Sequence, residues 1–343
     1  MDDTCRATLD DSQPPWNWTP APGQVLQAPV SLLQLKGPDT LRFLHGQTSQ
    51  AISGAAAGQW LSTCCISPTA RMRALAEVLV SDDGAWLVIH SGDAMAVRGA
   101  LDRVLFPADA VNLGELTPAW WLQPLPQPDV NPGAWRALEG GEGFWLGDQL
   151  VLFGDREPAA EPSAAELGDL EQAARDLLRC PRLGAVDRER LRIQRGEPAW
   201  PAELNEETNP FELGLAPRVS LSKGCYAGQE TLARLATYDG VRQQLRRWSC
   251  QSDAIGEEAT AAWLRPGARL ESTEGERAGI ITSSLLLPGS SIWIGLALVR
   301  RSCLEQECLV LSPAASADPA PALRLSLSKG EQFRDPPGSQ AAG

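Results

Sequence analysis

The chain has 343 residues, 43% apolar and 21% charged, a balance that excludes a wholly disordered or fibrous protein and gives roughly two domains able to bury a core without disulfides. Its net charge of −13 excludes coating nucleic acid by bulk charge; direct contact would need a local basic patch. No run of about 18 apolar residues is present, so no membrane span is expected. The acidic, Pro-rich start from Met1 to Pro22 does not read as a secretory signal. Eight cysteines, at 5, 64, 65, 180, 225, 250, 303 and 308, form no CxxC pattern, and the two histidines are His45 and His90. A zinc site is therefore not expected, and the thiols read as reduced and cytoplasmic.

In chain order, residues 1–24 read as a loose tail. Val30–Leu35 reads as a strand. Asp39 or Thr40 can cap a helix running to about Gln50, with Leu41, Phe43 and Leu44 turned inward. Cys64-Cys65 reads as two faces of one strand. Leu75–Val80 and Trp86–His90 are strands joined by the turn Ser81-Asp82-Asp83-Gly84. Val97, Leu101, Val104 and Leu105 mark an amphipathic helix ending before Pro107. This order suggests an α+β layer. Gln123–Gly133 is loop, Trp145–Phe153 one strand, and helices follow over Glu166–Leu178 and Val186–Arg195. After Trp248 the pattern is β-rich, with strands over Ala278–Thr282, Ser291–Val299 and the cleanly alternating Leu323–Leu327. A small barrel or sandwich would result, followed by a Pro/Gly/Ala/Ser tail.

One stretch concentrates rare residues. The only lysines are Lys36, Lys223 and Lys329, and the two tyrosines are Tyr226 and Tyr238. Around Lys223 the chain reads Ser222-Lys223-Gly224-Cys225-Tyr226-Ala227-Gly228-Gln229-Glu230, ending in Ala233-Arg234. Val219-Ser220-Leu221 is expected as a short strand. Lys223-Gly224 would be a turn in which Gly supplies an unusual backbone angle, with a helix from Cys225 to about Leu235. Glu230 and Arg234 then pair at i,i+4. A helix N-terminus and a lysine two residues away would both favour a Cys225 thiolate. A small buried Cys packing a tight turn is the alternative on the local sequence.

Lys223 to Glu230 resembles the YgfZ family, whose signature is K-G-C-Y-x-G-Q-E. The upstream run Glu207 to Leu215, and Gly37-Pro38-Asp39 followed by Phe43 to Thr48, resemble its larger relative, the aminomethyltransferase (T-protein) of glycine cleavage. The resemblance covers about 30–328. It implies a clover-like α+β fold around a folate-binding hole, with a folate-binding domain at 25–245, a β-barrel domain at 246–328, and flexible ends at 1–24 and 329–343. It also implies a tetrahydrofolate-class cofactor without a metal. The YgfZ branch supports synthesis or repair of iron–sulfur enzymes, and through them tRNA modification, so the implied partners are folate and iron–sulfur client or assembly proteins in the cytoplasm, with no direct nucleic acid or membrane contact. Cys225 would be the working thiol and Lys223 its stabiliser. Gly224 and Gly228 would shape the turn, Tyr226 is a further structural residue of the motif, and Gln229, Glu230 and Arg234 would orient it. Folate contacts would come from Gln194, Glu212 and Gln47. No Walker-type run points to a nucleotide instead.

Departures from the pattern bear on the folate. The T-protein carries a carboxylate just before the strand that here spans Leu75–Val80, but 64–76 holds no Asp or Glu, which removes an acid–base group. Gln194 replaces the Glu of R-[IL]-E-x-G, Gln50 a customary Asp, and Ala70 a Gly. Weak folate binding is expected, tightened by Gln194→Glu. The missing carboxylate argues against true aminomethyl transfer, while a non-enzymatic folate-responsive scaffold is a further reading. His45 and His90 read as packed or surface residues, and Cys303 and Cys308 as too few for a cluster. Between Val219 and Trp248 five cations (Lys223, Arg234, Arg242, Arg246, Arg247) face two anions (Glu230, Asp239). That patch could attract a folate polyglutamate tail or an acidic partner, or be a solvated strand edge.

Overall fold

The computed structural model describes residues 15–126, 133–238, 240–252, 256–311 and 322–336. Cys5, Asp239, most of the loop expected at 123–133 and the outer parts of both expected tails lie outside these residues.

The first half of the chain folds as β1 (Val25–Lys36), α1 (Thr40–Gln47), β2 (Gln59–Ile66), β3 (Met72–Ser81), β4 (Gly84–Gly92), α2 (Ala94–Val104), β5 (Asn112–Pro124), β6 (Gly133–Ala137), β7 (Gly143–Leu146) and β8 (Gln149–Phe153). These eight strands close into an antiparallel barrel in the order β1-β4-β3-β2-β6-β7-β8-β5, with β5 returning to pair with β1. Period-two alternation sets the two faces. Leu32 buries inside with Trp60, Val88 and Trp121, while its neighbour Leu33 buries outside, under Phe43, Leu44, Val97 and Leu101 of the two helices. Then come α3 (Ala164–Leu167) and α4 (Gln172–Arg179), which cover Leu122, Trp145 and Leu150, and α5 (Ala185–Arg195).

The second half comprises α6 (Gln229–Thr237), β9 (Gln243–Gln251), α7 (Glu257–Trp263), β10 (Arg269–Glu271), β11 (Arg277–Leu286), β12 (Ile292–Arg300), β13 (Cys308–Leu311) and β14 (Leu323–Ser328). Its six strands form a second closed barrel, β10-β11-β12-β9-β14-β13. Trp248 is fully buried there and donates its Nε1 proton to Leu296 O at 3.0 Å. A separate apolar cluster seams the two barrels, joining Ile66 and Met72 of the first, Leu245 and Ile294 of the second, and Phe211, Tyr226, Leu232 and Phe333 between them. The lysine–cysteine motif lies on this seam. Among the described residues no helix is long and apolar enough to cross a membrane.

Several local expectations are corrected. Trp145–Phe153 is not one strand but the β7–β8 hairpin, turning at Gly147-Asp148. Glu166–Leu178 is two helices, broken after Leu167 at Gly168, with Ser163 and Glu166 forming a capping box on the first. Val219–Leu221 is irregular: a 3-10 turn at Ala216–Arg218 precedes it, and Ser220 N donates to Ser49 O. Neither end is wholly loose. The Trp16 and Trp18 rings take the guanidinium groups of Arg247 and Arg190 on their faces, at 4.5 and 4.8 Å. Phe333 is buried in the seam, and Arg334 N donates to Gly214 O.

Candidate functional site

Helix α6 begins at Gln229, four residues beyond Cys225, and its N-cap is Gly228 in the left-handed region at φ 84°. Cys225 is exposed and does not sit at the helix N-terminus as expected. The unusual angle belongs to Gly228, not Gly224, and a Cβ at Gly228 would fall 2.9 Å from Ser67 O. Lys223 turns inward and donates to the carbonyls of His45, Thr48 and Gln50, the last two at 2.6 and 2.8 Å. Its ammonium also lies 4.2 Å from the Tyr226 ring centroid. Burial pushes the Lys223 pKa down to about 7. The lysine is therefore committed to backbone oxygens at the end of α1, the turn that contains Gln47. Gln229 Nε2 closes the motif on Lys223 O at 3.2 Å, and Glu230 pairs with Arg234 at 2.6 Å on the surface. The motif ties one barrel to α6 and leaves the Cys225 thiol outside.

A cavity lies apart from this motif. A space of about 740 Å³ opens at the mouth of the first barrel. Its walls are the barrel strands, α5 through Arg188 and Arg192, the 196–199 and 213–218 segments, and Gln332 and Arg334 of the C-terminal segment. On its barrel side Glu77 of β3 is 1% exposed and fully engaged. Its Oε1 receives Arg218 Nη1 at 2.9 Å and its Oε2 receives the Ser62 hydroxyl at 2.6 Å, while His90 Nε2 lies 3.4 Å from Oε1 without a hydrogen bond. Burial alone would raise the Glu77 pKa; the Arg218 charge, His90 and Ser62 outweigh it and hold the carboxyl below its usual range. Burial, partly opposed by Glu77, lowers the His90 pKa, so the imidazole is neutral near pH 7. Three further polar atoms of lining residues, Trp60 Nε1, Trp121 Nε1 and Gln149 Oε1, are buried and have no partner among the described residues. Buried polar atoms without partners are costly, and a ligand offering acceptors to the indoles and a donor to the amide would satisfy them.

The structure does not bring the three expected folate contacts together here. Gln194 is buried but points to the chain ends, donating to Trp18 O at 3.0 Å and Glu331 Oε1 at 3.2 Å. α5 faces the cavity with Arg188, Leu191 and Arg192 instead, so Gln194→Glu has no direct route to a ligand there. Gln47 ends α1 outside the cavity wall. Glu212 lines a different cleft of about 690 Å³ with Arg71, Arg242 and Arg300. Burial raises its pKa against the hydrogen bond from Asn209 N. Sequence reasoning passed over Glu77, Trp121, Gln149 and Arg218, and read His90 as a packed or surface residue. One signal was available: Glu77 is the single carboxylate in the apolar run 74–80, and a charge on such a strand demands buried partners.

No protein-family model matches the chain. A chloroplastic protein of Arabidopsis thaliana named as a transferase, At1g60990, is 27% identical over 286 residues, 78% of this chain; the chain spans 63% of that relative's length. An aminomethyltransferase of Bacteroides thetaiotaomicron is 23% identical over 296 residues, covering 78% of this chain and 76% of its own. Among solved structures, glycine cleavage system aminomethyltransferase T from Bartonella henselae superposes with a TM-score of 0.65 at 18% identity, covering 92% of this chain and 88% of the other. The chain is thus similar in sequence to aminomethyltransferase-like proteins, and its mixed α+β architecture of two barrels is the fold of aminomethyltransferase T.

Proposed function

We propose that the chain binds a tetrahydrofolate-class ligand in the cavity at the mouth of the first barrel and supports assembly or repair of iron–sulfur enzymes in the cytoplasm, and through them tRNA modification. The observation that carries the ligand is the cavity itself, about 740 Å³, whose lining residues hold Trp60 Nε1, Trp121 Nε1 and Gln149 Oε1 without partners among the described residues. A flat heterocycle rich in donors and acceptors fits such a lining. Glu77 and Arg218 would hold the polar wall rigid, and Arg188 and Arg334 would attract a carboxylate tail. The exposed thiol of Cys225 is the group available to a protein partner. The direct test is titration with tetrahydrofolate, followed by Trp fluorescence and calorimetry. Saturable binding weakened by Gln149→Leu is expected, and no binding at millimolar ligand refutes the assignment. The cellular role is tested in a deletion strain: iron–sulfur enzyme activity should return with the parent chain and not with Cys225→Ser. Full rescue by that variant favours the scaffold reading.

One observation favours a second reading, tetrahydrofolate-dependent aminomethyl transfer. Glu77 and His90 provide an acid–base pair in the cavity although 64–76 lacks a carboxylate. An assay with aminomethylated carrier protein and tetrahydrofolate separates the two.

A further inference from the structure

We propose that Glu77 and His90 form a proton-accepting dyad on the cavity wall, with His90 presenting its Nδ1 lone pair to an N–H or ammonium group of the bound ligand. This rests on the cavity being a ligand site, but its geometry stands apart from which ligand that is. His90 comes from β4 and Glu77 from the neighbouring β3, and both line the cavity. The imidazole Nε2 is buried and faces Glu77 Oε1 at 3.4 Å, an electrostatic contact without a hydrogen bond, to a carboxylate already held by Arg218 and Ser62. The negative charge of Glu77 favours a proton over a lone pair on the nitrogen that faces it, so the neutral ring carries its proton on Nε2 and leaves Nδ1 as acceptor. The side chain keeps 18% exposure, which the buried Nε2 does not supply, so the open part of the ring is the side away from Glu77. The Trp121 ring packs edge-on at 5.3 Å between centroids and fixes the imidazole plane. A proton moving from a ligand nitrogen to Nδ1 creates an imidazolium beside Glu77, which stabilises it. The proton returns to the ligand or leaves through the cavity mouth, and nothing is oxidised or reduced. The charged groups around the dyad are Glu77 on β3, Arg218 on the 213–218 segment, Glu197, Arg188 and Arg192 on α5, and Arg334.

With only two histidines in the chain, imidazole nitrogen NMR reads the site directly, His90 being assigned by loss of its signals in His90→Gln. In the unliganded parent at pH 7, the expected result is a neutral His90 carrying its proton on Nε2. A Nδ1-protonated tautomer, or a charged ring, overturns the dyad whether or not folate binds. Glu77→Gln should lower the His90 titration midpoint, since the carboxylate is the group that raises it; an unchanged midpoint in a folded variant also overturns the dyad. Should that variant unfold, the parent tautomer still decides. Tetrahydrofolate added to the parent should then shift the Nδ1 signal. Fluorescence-detected binding without that shift overturns the ligand contact, whereas absence of binding removes the folate assignment and leaves the tautomer result to judge the dyad.

Discussion

At the level of single residues, access and burial divide the chemistry of the chain. Of seven cysteines in the described residues, Cys225 is the exposed one, and Cys180 is intermediate. Burial pushes the thiols of Cys64, Cys65 and Cys250 up to about 12. Iodoacetamide at neutral pH should therefore label Cys225 first among these seven, because it alone combines contact with solvent and an open approach; peptide mapping showing Cys64 or Cys65 reacting as early would contradict this packing. Glu77 makes a second prediction. Its folded pKa lies below an unfolded value of about 4.3, so the stability it contributes is present above that value and is lost as pH falls through the folded pKa. Glu77→Gln should flatten the acid limb of the stability profile. At pH 7 it should cost about 3 kcal/mol, because Arg218 is left against a neutral group. Urea unfolding between pH 3 and 7 checks both effects.

At the level of elements, the sequence was most readable where one physical signal dominated. Strands β3, β4, β11, β12 and β14 declared themselves by alternation or apolar runs, and α2 and α5 by period and by Pro107 or Gly196 at their ends. The closure of eight strands into a barrel was hidden, because β6, β7 and β8 are five residues or shorter and sit in Gly-rich sequence. At the site, the motif was legible but its geometry was not. A lysine beside a cysteine looks like an electrostatic partner, yet Lys223 serves three carbonyls of another element. Lys223→Met should therefore destabilise the fold by about 3 kcal/mol, having stranded those carbonyls in a buried site. The start of α6 gives a sharper contrast. Gly228→Ala combines a φ of 84° with a Cβ 2.9 Å from Ser67 O and should cost about 1–3 kcal/mol. Gly224→Ala meets nothing within 4 Å and should change stability by less than about 0.5 kcal/mol. Equal losses in thermal unfolding would place the strained turn at the wrong glycine.

At the level of the whole molecule, the C-terminal segment after β14 links the second barrel to the cavity at the mouth of the first. It leaves the second barrel at Ser328 and crosses α5, with Gln332 N donating to Arg195 O and Arg334 N to Gly214 O. Gly214, at φ 75°, leaves room for the Phe333 ring, which would stand 2.4 Å from a Cβ at that position. Phe333 also carries the Arg246 guanidinium over its face at 5.1 Å, and its two neighbours, Gln332 and Arg334, line the cavity. The segment therefore acts as a strap: one buried aromatic anchors it, and the anchored residues form part of the wall. Phe333→Ala should lose about 3–5 kcal/mol, because the ring is buried in the apolar cluster between the barrels and its removal leaves a cavity there. Ligand affinity should fall as well, through Gln332 and Arg334, although neither is changed. Phe333→Leu, which refills most of the volume, should recover most of both losses. Unfolding in urea together with fluorescence titration against tetrahydrofolate tests the coupling. Lost stability with unchanged affinity would mean that the wall stands without its anchor, and that the second barrel packs against the ligand site without shaping it.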